Sequence, residues 1–197
     1  MKFSVAVVAA ALSISLGGCV SSMVSGGKHP DLVGQIQNGE QYTPGKIALP
    51  TPVKQLPLKF NRSDLPKELK DALDPYFQVR GDYPSILIKP NNFMPEMDDG
   101  FSGGYMAFRW DYNYGADVTM NDWEDKSDLL FEFAAKSHLV ITSKTEIGAS
   151  PDTTGMITKG QLIGYNNLAS DILAQLEARR AEIERLANKY ARWKSNK

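Results

Sequence analysis

The sequence predicts an α+β domain with an antiparallel β-sheet, a short helix and a long C-terminal amphipathic helix. Two observations carry this prediction. Residues 105–114 alternate between two faces, and from about residue 162 apolar residues recur in steps of four and three. The first pattern is typical of a β-strand and the second of a helix with one apolar face. We therefore expect the C-terminal helix to pack along the sheet.

Shorter signals define the other elements. Residues 53–60 alternate around Pro57, which favours an edge strand. Asp64 offers an N-cap and Asp74-Pro75 a stop, so residues 65–73 are predicted to be helical. The remaining predictions are a strand over 85–89, a loop over 91–104, a turn at 113–115, and strands over 116–121 and 139–143, while residues 129–135 fit either a strand or a helix.

The predicted C-terminal helix, over about 162–194, has one continuous apolar face. Intramolecular packing along the sheet is one explanation for it. The other is a heptad contact with a second copy of the chain, although Arg179 interrupts that pattern. The residues that would form such a homo-oligomer are Ile172, Leu176, Ile183 and Leu186.

The overall composition indicates one ordinary globular domain. The chain has 197 residues, of which 42% are hydrophobic and 23% charged. The formal net charge is −1, and the aromatic positions are not interleaved with a basic stripe. These observations argue against nucleic-acid binding.

The first 18 residues have the organisation of an export signal. Lys2 is followed by an apolar run over residues 3–16 and by Gly17 and Gly18. A helix of this length spans about 21 Å, which is too short to cross a membrane comfortably. We therefore expect residues 1–18 to be a cleaved signal peptide.

The segment Leu16-Gly17-Gly18-Cys19 resembles the lipobox of bacterial lipoproteins, which has an aliphatic residue, two small residues and a cysteine. The resemblance implies that Cys19 becomes the first mature residue and carries a thioether-linked diacylglycerol and an amide-linked acyl chain. Stable anchoring takes two acyl chains. The diacylglycerol and the amide-linked group together have three, which would hold the protein in the membrane essentially permanently. Val20, rather than Asp, follows the cysteine. In the Gram-negative sorting rule this implies the periplasmic face of the outer membrane.

A secretory signal with an incidental cysteine is the alternative to the lipobox. After Cys19, glycines and prolines punctuate the chain, so residues 19–52 are predicted to be a lipidated flexible tether and 53–197 a single globular domain. Alternatively, residues 32–36 or 46–49 lie along the domain as an arm.

The sequence contains the residue pattern of one catalytic motif. Residues 100–104 match G-x-S-x-G, which would make Ser102 the nucleophile of an envelope hydrolase, but the residues after it alternate as a strand where the motif needs a helix. His29 and His138 are the only histidines, and His138 is expected to be structural. We assign no catalytic residue, no metal site and no cofactor.

Acidic residues are concentrated in one region. Residues 92–132 carry ten acidic side chains against Arg109 and Lys126, whereas residues 171–197 carry seven basic and four acidic ones. We predict a partner-binding surface here that includes Asp98, Asp99, Trp110, Asp122, Trp123 and Asp125. The alternatives are a Ca²⁺ site formed by Asp98, Asp99, Asp122, Asp125 and Asp128, or simple solvated charge.

The function predicted from these features is that of a non-enzymatic lipoprotein. We expect a role in protein binding or envelope assembly, as an accessory subunit or an immunity-like inhibitor. The alternatives are a hydrolase that uses Ser102 and a structural lipoprotein that self-associates through its last helix.

Overall fold

A computed structural model describes residues 27–45, 49, 51, 54–91, 95–149 and 152–197. The predicted signal peptide, the lipobox at residues 16–19 and parts of the predicted tether lie outside these residues. The elements in chain order are α1 (Leu32–Gln35), β1 (Gly39–Thr43), β2 (Lys59–Phe60), α2 (Lys67–Leu73), a 3₁₀ turn (Asp74–Tyr76), β3 (Ser85–Pro90), β4 (Glu96–Ser102), β5 (Tyr105–Asn121), β6 (Leu129–Glu146), α3 (Thr153–Ala178) and α4 (Arg180–Ser195).

The sheet has the strand order β1-β6-β5-β3-β2, and β4 pairs with β5 outside this path. β3 and β5 are antiparallel, with Leu87 opposite Thr119, whereas β2 and β3 are parallel, with Phe60 opposite Ile86. The combination of this sheet with short helices and a long C-terminal helix confirms the α+β prediction.

The described residues belong to two compact units. The first comprises residues up to Tyr42, Glu96–Trp110 and Val140–Asp152, and the second comprises Thr43–Pro95, Asp111–Leu139 and Thr153–Lys197. Each of the long strands β5 and β6 contributes one part to each unit.

In the first unit, α1 packs its apolar side chains on the sheet. Leu32, Val33 and Ile36 form a cluster with Ala107, and Tyr105 packs against it. The Val33 carbonyl also accepts a hydrogen bond from Lys144 Nζ at 2.8 Å. Residues 32–36 are thus an ordered arm, as the alternative interpretation describes, and the prediction of a flexible tether is corrected for them.

The same arm passes very close to β4. The His29 amide donates to the Asp99 carbonyl at 2.9 Å, and a Cβ placed on Gly100 would lie 2.2 Å from the His29 carbonyl oxygen. Only glycine fits at this point, since such a contact is far shorter than atoms tolerate. Gly100 therefore belongs to a strand contact, where the sequence suggested a flexible loop.

In the second unit, α3 lies directly on two tyrosine rings of β5. A Cβ on Gly160 would be 2.2 Å from the Tyr112 ring, and one on Gly164 would be 2.1 Å from the Tyr114 ring. Glycines one helical turn apart therefore let the helix backbone approach the rings. Tyr114 also packs against Tyr165, with ring centroids 4.6 Å apart.

The middle of the chain differs from the predicted turn and loop. β5 continues through residues 113–115, and buried side chains stay in phase at Tyr112, Tyr114 and Ala116 on either side of Gly115. Gly115 lies beside the end of the Asn91 side chain, and a Cβ there would be 2.6 Å from Asn91 Nδ2 unless that side chain moved. The predicted loop over 91–104 contains β4, and residues 129–135 belong to strand β6.

The C-terminal region differs from the single helix predicted over 162–194. α3 begins at Thr153, and Arg179, with ψ near 11°, separates it from α4. The face proposed for self-association is buried within the second unit, with exposures of 0% for three residues and 8% for the fourth, so these side chains pack inside the unit. These residues are Ile172, Leu176, Ile183 and Leu186. Among the described residues, none of the helices has the length and apolarity needed to span a membrane.

Candidate functional site

The loop between β5 and β6, residues 122–128, is held tightly by its own side chains. Asp122 Oδ1 accepts hydrogen bonds from the amides of Glu124 at 2.7 Å and Asp125 at 3.4 Å. Asp125 Oδ1 in turn accepts from the hydroxyl and the amide of Ser127, at 2.6 and 3.0 Å. Aspartates that bond to the backbone two residues on are the usual means of fixing such turns. The loop therefore presents its side chains in a defined arrangement.

Three aromatic rings meet where this loop contacts α4. The Trp123 ring is edge-on to Tyr190, with centroids 5.2 Å apart, and lies 6.4 Å from Trp193. Tyr190 and Trp193 are themselves 5.7 Å apart. We refer to loop residues 122–128 together with Tyr190 and Trp193 as the aromatic–acidic site.

Charges of both signs surround these rings. Lys189 Nζ lies 5.4 Å from the centre of the Trp123 ring and 3.8 Å from Asp122 Oδ2. Glu124, Asp125 and Asp128 are exposed. The hydrogen bonds from Ser127 lower the pKa of Asp125, so its carboxylate is ionised at neutral pH. The site therefore offers exposed negative charge beside a half-buried aromatic surface.

A cavity of about 390 Å³ adjoins the aromatic–acidic site. Trp123 and Tyr190 line one part of it, and Tyr83, Asn61 and Lys126 line another. The Trp123 Nε1 atom is buried and has no hydrogen-bond partner among the described residues. A buried indole N–H usually has such a partner, so this atom is an unsatisfied donor at the edge of the site.

Of the residues predicted to bind a partner, the structure brings Asp122, Trp123 and Asp125 together in this loop. Asp98 and Asp99 belong to β4 in the first unit and contact their own chain. Asp98 Oδ1 lies 3.5 Å from His29 Nε2, and Asp99 Oδ1 accepts from the Lys28 amide at 3.4 Å. These two carboxylates therefore help to hold the N-terminal arm.

Trp110 is corrected as a binding residue. Its side chain is 1% exposed and stacks on Phe108, with centroids 5.4 Å apart. It is in the core because it shares the buried face of β5, and it cannot reach a partner from the folded chain.

Ser102 is the last residue of β4 and does not have the surroundings of a nucleophile elbow. A turn at Gly103 and Gly104, both with positive φ, follows it and leads into β5, whereas the motif requires a helix there. His138 Nε2 lies 2.8 Å from Asp111 Oδ1 and is more than half exposed. This His138–Asp111 contact belongs to the second unit and Ser102 to the first.

The predicted partner-binding surface does not include Tyr190 and Trp193 of α4. Tyr190 and Trp193 continue the apolar face of the C-terminal helix, so they were assigned to its packing surface. The available signal was their composition: the face changes from aliphatic Ile183 and Leu186 to aromatic residues at its end. Aromatic side chains at the edge of a core are those that also serve interfaces.

The chain matches no family model, no curated protein and no solved structure. Within the described part of the chain, histidine and acidic side chains do not form a group of three that could hold a metal ion. The Ca²⁺ alternative therefore gains no support from the arrangement of Asp122, Asp125 and Asp128.

Proposed function

We propose that this chain is a lipoprotein, anchored through Cys19 to the periplasmic face of the outer membrane, that binds a protein partner without enzymatic activity. The resemblance of residues 16–19 to a lipobox supports the anchor. The observation that carries the binding role is Trp123, which is held on a fixed loop beside exposed carboxylates.

Trp123 has the properties of an interface anchor. Tryptophan is enriched among the residues that dominate binding energy, and such anchors are surrounded by polar groups that form a rim. Here Tyr190 and Trp193 support the ring, and Glu124 and Asp125 provide the rim. A protein with an apolar side chain flanked by lysine or arginine would complement this surface.

The anchor is tested by labelling cells with an alkyne fatty acid. We expect the natural chain to be labelled and to fractionate with the outer membrane, and we expect Cys19→Ser to be unlabelled and to remain unprocessed or soluble. Firm outer-membrane retention of unlabelled Cys19→Ser would contradict the proposed anchor.

The binding role is tested by photo-crosslinking in intact cells. A benzophenone amino acid replaces Glu124 in one variant and Lys67, an exposed residue of α2, in the matched control. We expect a discrete adduct from position 124 only. Absence of an adduct, or the same adduct from both positions, would contradict a partner at the aromatic–acidic site.

A further inference from the structure

Side chains of α3 take the place of a neighbouring strand along part of β6. Gln175 Nε2 donates to the Ala134 carbonyl at 3.2 Å, and Asp171 Oδ2 accepts from the Lys136 amide at 2.9 Å. Gln175 Nε2 also donates to Asp171 Oδ2 at 3.1 Å. Two residues four apart on the helix thus satisfy backbone groups two apart on the strand.

The same spacing leads to Asn167, which stands four residues before Asp171. Four helical residues rise about 6 Å, and two strand residues rise about 6.6 to 6.8 Å. Gln175 lies opposite Ala134 and Asp171 opposite Lys136, so the next pair in this series places Asn167 at the level of His138. Asn167 is 5% exposed, yet neither Oδ1 nor Nδ2 has a hydrogen-bond partner among the described residues.

A cavity of about 360 Å³ lies at this position. Its lining includes Asn167, Ser170 and Asp171 of α3, and Ser137 and His138 of β6. The Ser137 hydroxyl is a second buried polar atom without a partner among the described residues. Pro44 also lines the cavity and, as a proline, has no amide N–H to donate.

We propose that this cavity binds the main-chain amide of an extended peptide. Asn167 offers one acceptor and two donors, and a peptide group presents the matching N–H and C=O. The neighbouring side chains of Asp171 and Gln175 already form hydrogen bonds with the extended backbone of β6. Among the described residues, Phe, Tyr and Trp are absent from the lining of this cavity, so it lacks the flat apolar surface on which a sugar ring usually stacks. This site is separate in its residues from the aromatic–acidic site, and the proposal does not depend on the proposed function.

An unpaired amide in this position lowers the stability of the free protein, because burial removes its hydrogen bonds to water. Asn167→Leu keeps a similar volume without polar atoms. We expect it to raise Tm by roughly 2 to 4 °C, because the penalty for burying an unpaired amide is removed. The same substitution should abolish peptide binding.

Nuclear magnetic resonance titration of the whole mature chain tests the proposal. The probe is N-acetyl-alanyl-alanine N-methylamide, and the control probe is its depsipeptide with the central amide replaced by an ester. We expect saturable shifts of the Asn167 side-chain amide and at least about tenfold weaker binding of the ester, because one hydrogen bond is lost. Asn188→Leu, at an exposed position of α4, is the matched control and should bind the probe normally.

Three results would overturn the proposal. The first is a scalar coupling across a hydrogen bond to the Asn167 side-chain amide in the free chain, since this amide would then already be paired. The second is equal affinity for the amide and the ester, or no binding of either. The third is stronger binding of glucose than of the peptide, which would assign the cavity to a carbohydrate.

Discussion

The second unit contains two aromatic clusters, and they differ in what covers the rings. Tyr112 and Tyr114 are buried beneath α3, where Gly160 and Gly164 admit the rings against the helix backbone. Trp123 is half-buried under α4 and borders a cavity and exposed carboxylates. The first cluster therefore stabilises the unit, whereas the second keeps aromatic surface available to a partner. Substitutions should separate these roles.

The largest effect is expected from Tyr112→Ala. Removing a fully buried ring costs about 3 to 5 kcal/mol, because transfer energy is lost and a cavity remains. Chemical denaturation should show this loss of unfolding free energy. Tyr112→Phe, which keeps the ring, is the control and should lose about 1 kcal/mol or less, because only a hydroxyl 3.5 Å from the Met156 carbonyl is removed. Equal losses from both variants would contradict the packing role of the ring.

Alkaline pH should weaken the same cluster. Burial raises the pKa of Tyr112 to about 12, whereas the phenol of an unfolded chain titrates near 10. As the pH rises, the phenol therefore loses its proton in the unfolded chain before it does so in the folded one. The contribution of Tyr112 to the free energy of unfolding is complete below about pH 10 and falls as the pH rises towards about 12. The expected loss is about 1.4 kcal/mol per pH unit.

Denaturation curves between pH 9 and 12 measure this alkaline loss. The pKa values of Tyr114 and Tyr165 are also raised by burial, so each adds to the loss in the same direction. Tyr112→Phe should have a shallower slope than the natural chain. An unchanged slope would show that the Tyr112 phenol ionises in the folded state as readily as in the unfolded one.

Gly164→Ala should destabilise the chain by about 1 to 3 kcal/mol, the usual cost of overpacking. The added Cβ would lie 2.1 Å from the Tyr114 ring, and this clash outweighs the gain of about 1 kcal/mol that alanine brings to a helix. Gly34→Ala in α1 is the matched control, since a Cβ there meets nothing within 4 Å. Thermal unfolding should show a lower Tm for Gly164→Ala and an unchanged or higher one for Gly34→Ala.

Apart from the control variants, Trp123→Ala is expected to have the smallest effect on stability. Each aromatic pair contributes about 0.5 to 1.5 kcal/mol beyond its buried area, and this ring is only partly covered. Denaturation should therefore show a loss of about 1 to 2 kcal/mol. A loss as large as that of Tyr112→Ala would mean that Trp123 is a core residue and not an interface anchor.

The sequence predicted elements best where periodicity and burial agree. The α+β class, the helix containing Leu69 and Leu73, and the strand at 85–89 all follow from local patterns. Gly115 misled the prediction because a glycine in the middle of a strand, here beside the Asn91 side chain, looks the same in sequence as one that makes a turn. The distinction depends on a residue distant in sequence, which no local pattern contains.

The candidate site was predictable only in part for the same reason. Loop residues Asp122, Trp123 and Asp125 stand close together in the chain, so the local concentration of acidic residues predicted them as part of a binding surface. Tyr190 and Trp193 reach the loop through tertiary packing of α4, and Trp110 carries the same kind of side chain as Trp123 but lies in the core. Burial separates these two tryptophans, and it was not readable from the residue type.

The central claim, that Trp123 serves binding while the Tyr112–Tyr114 cluster serves stability, is tested most directly by combining the crosslinker at position 124 with each substitution. Trp123→Ala and Gly164→Ala are expected to lose similar amounts of unfolding free energy, which makes them a matched pair. We predict that the adduct disappears in Trp123→Ala and persists in Gly164→Ala. Loss of the adduct in both variants, or its persistence in Trp123→Ala, would contradict the account.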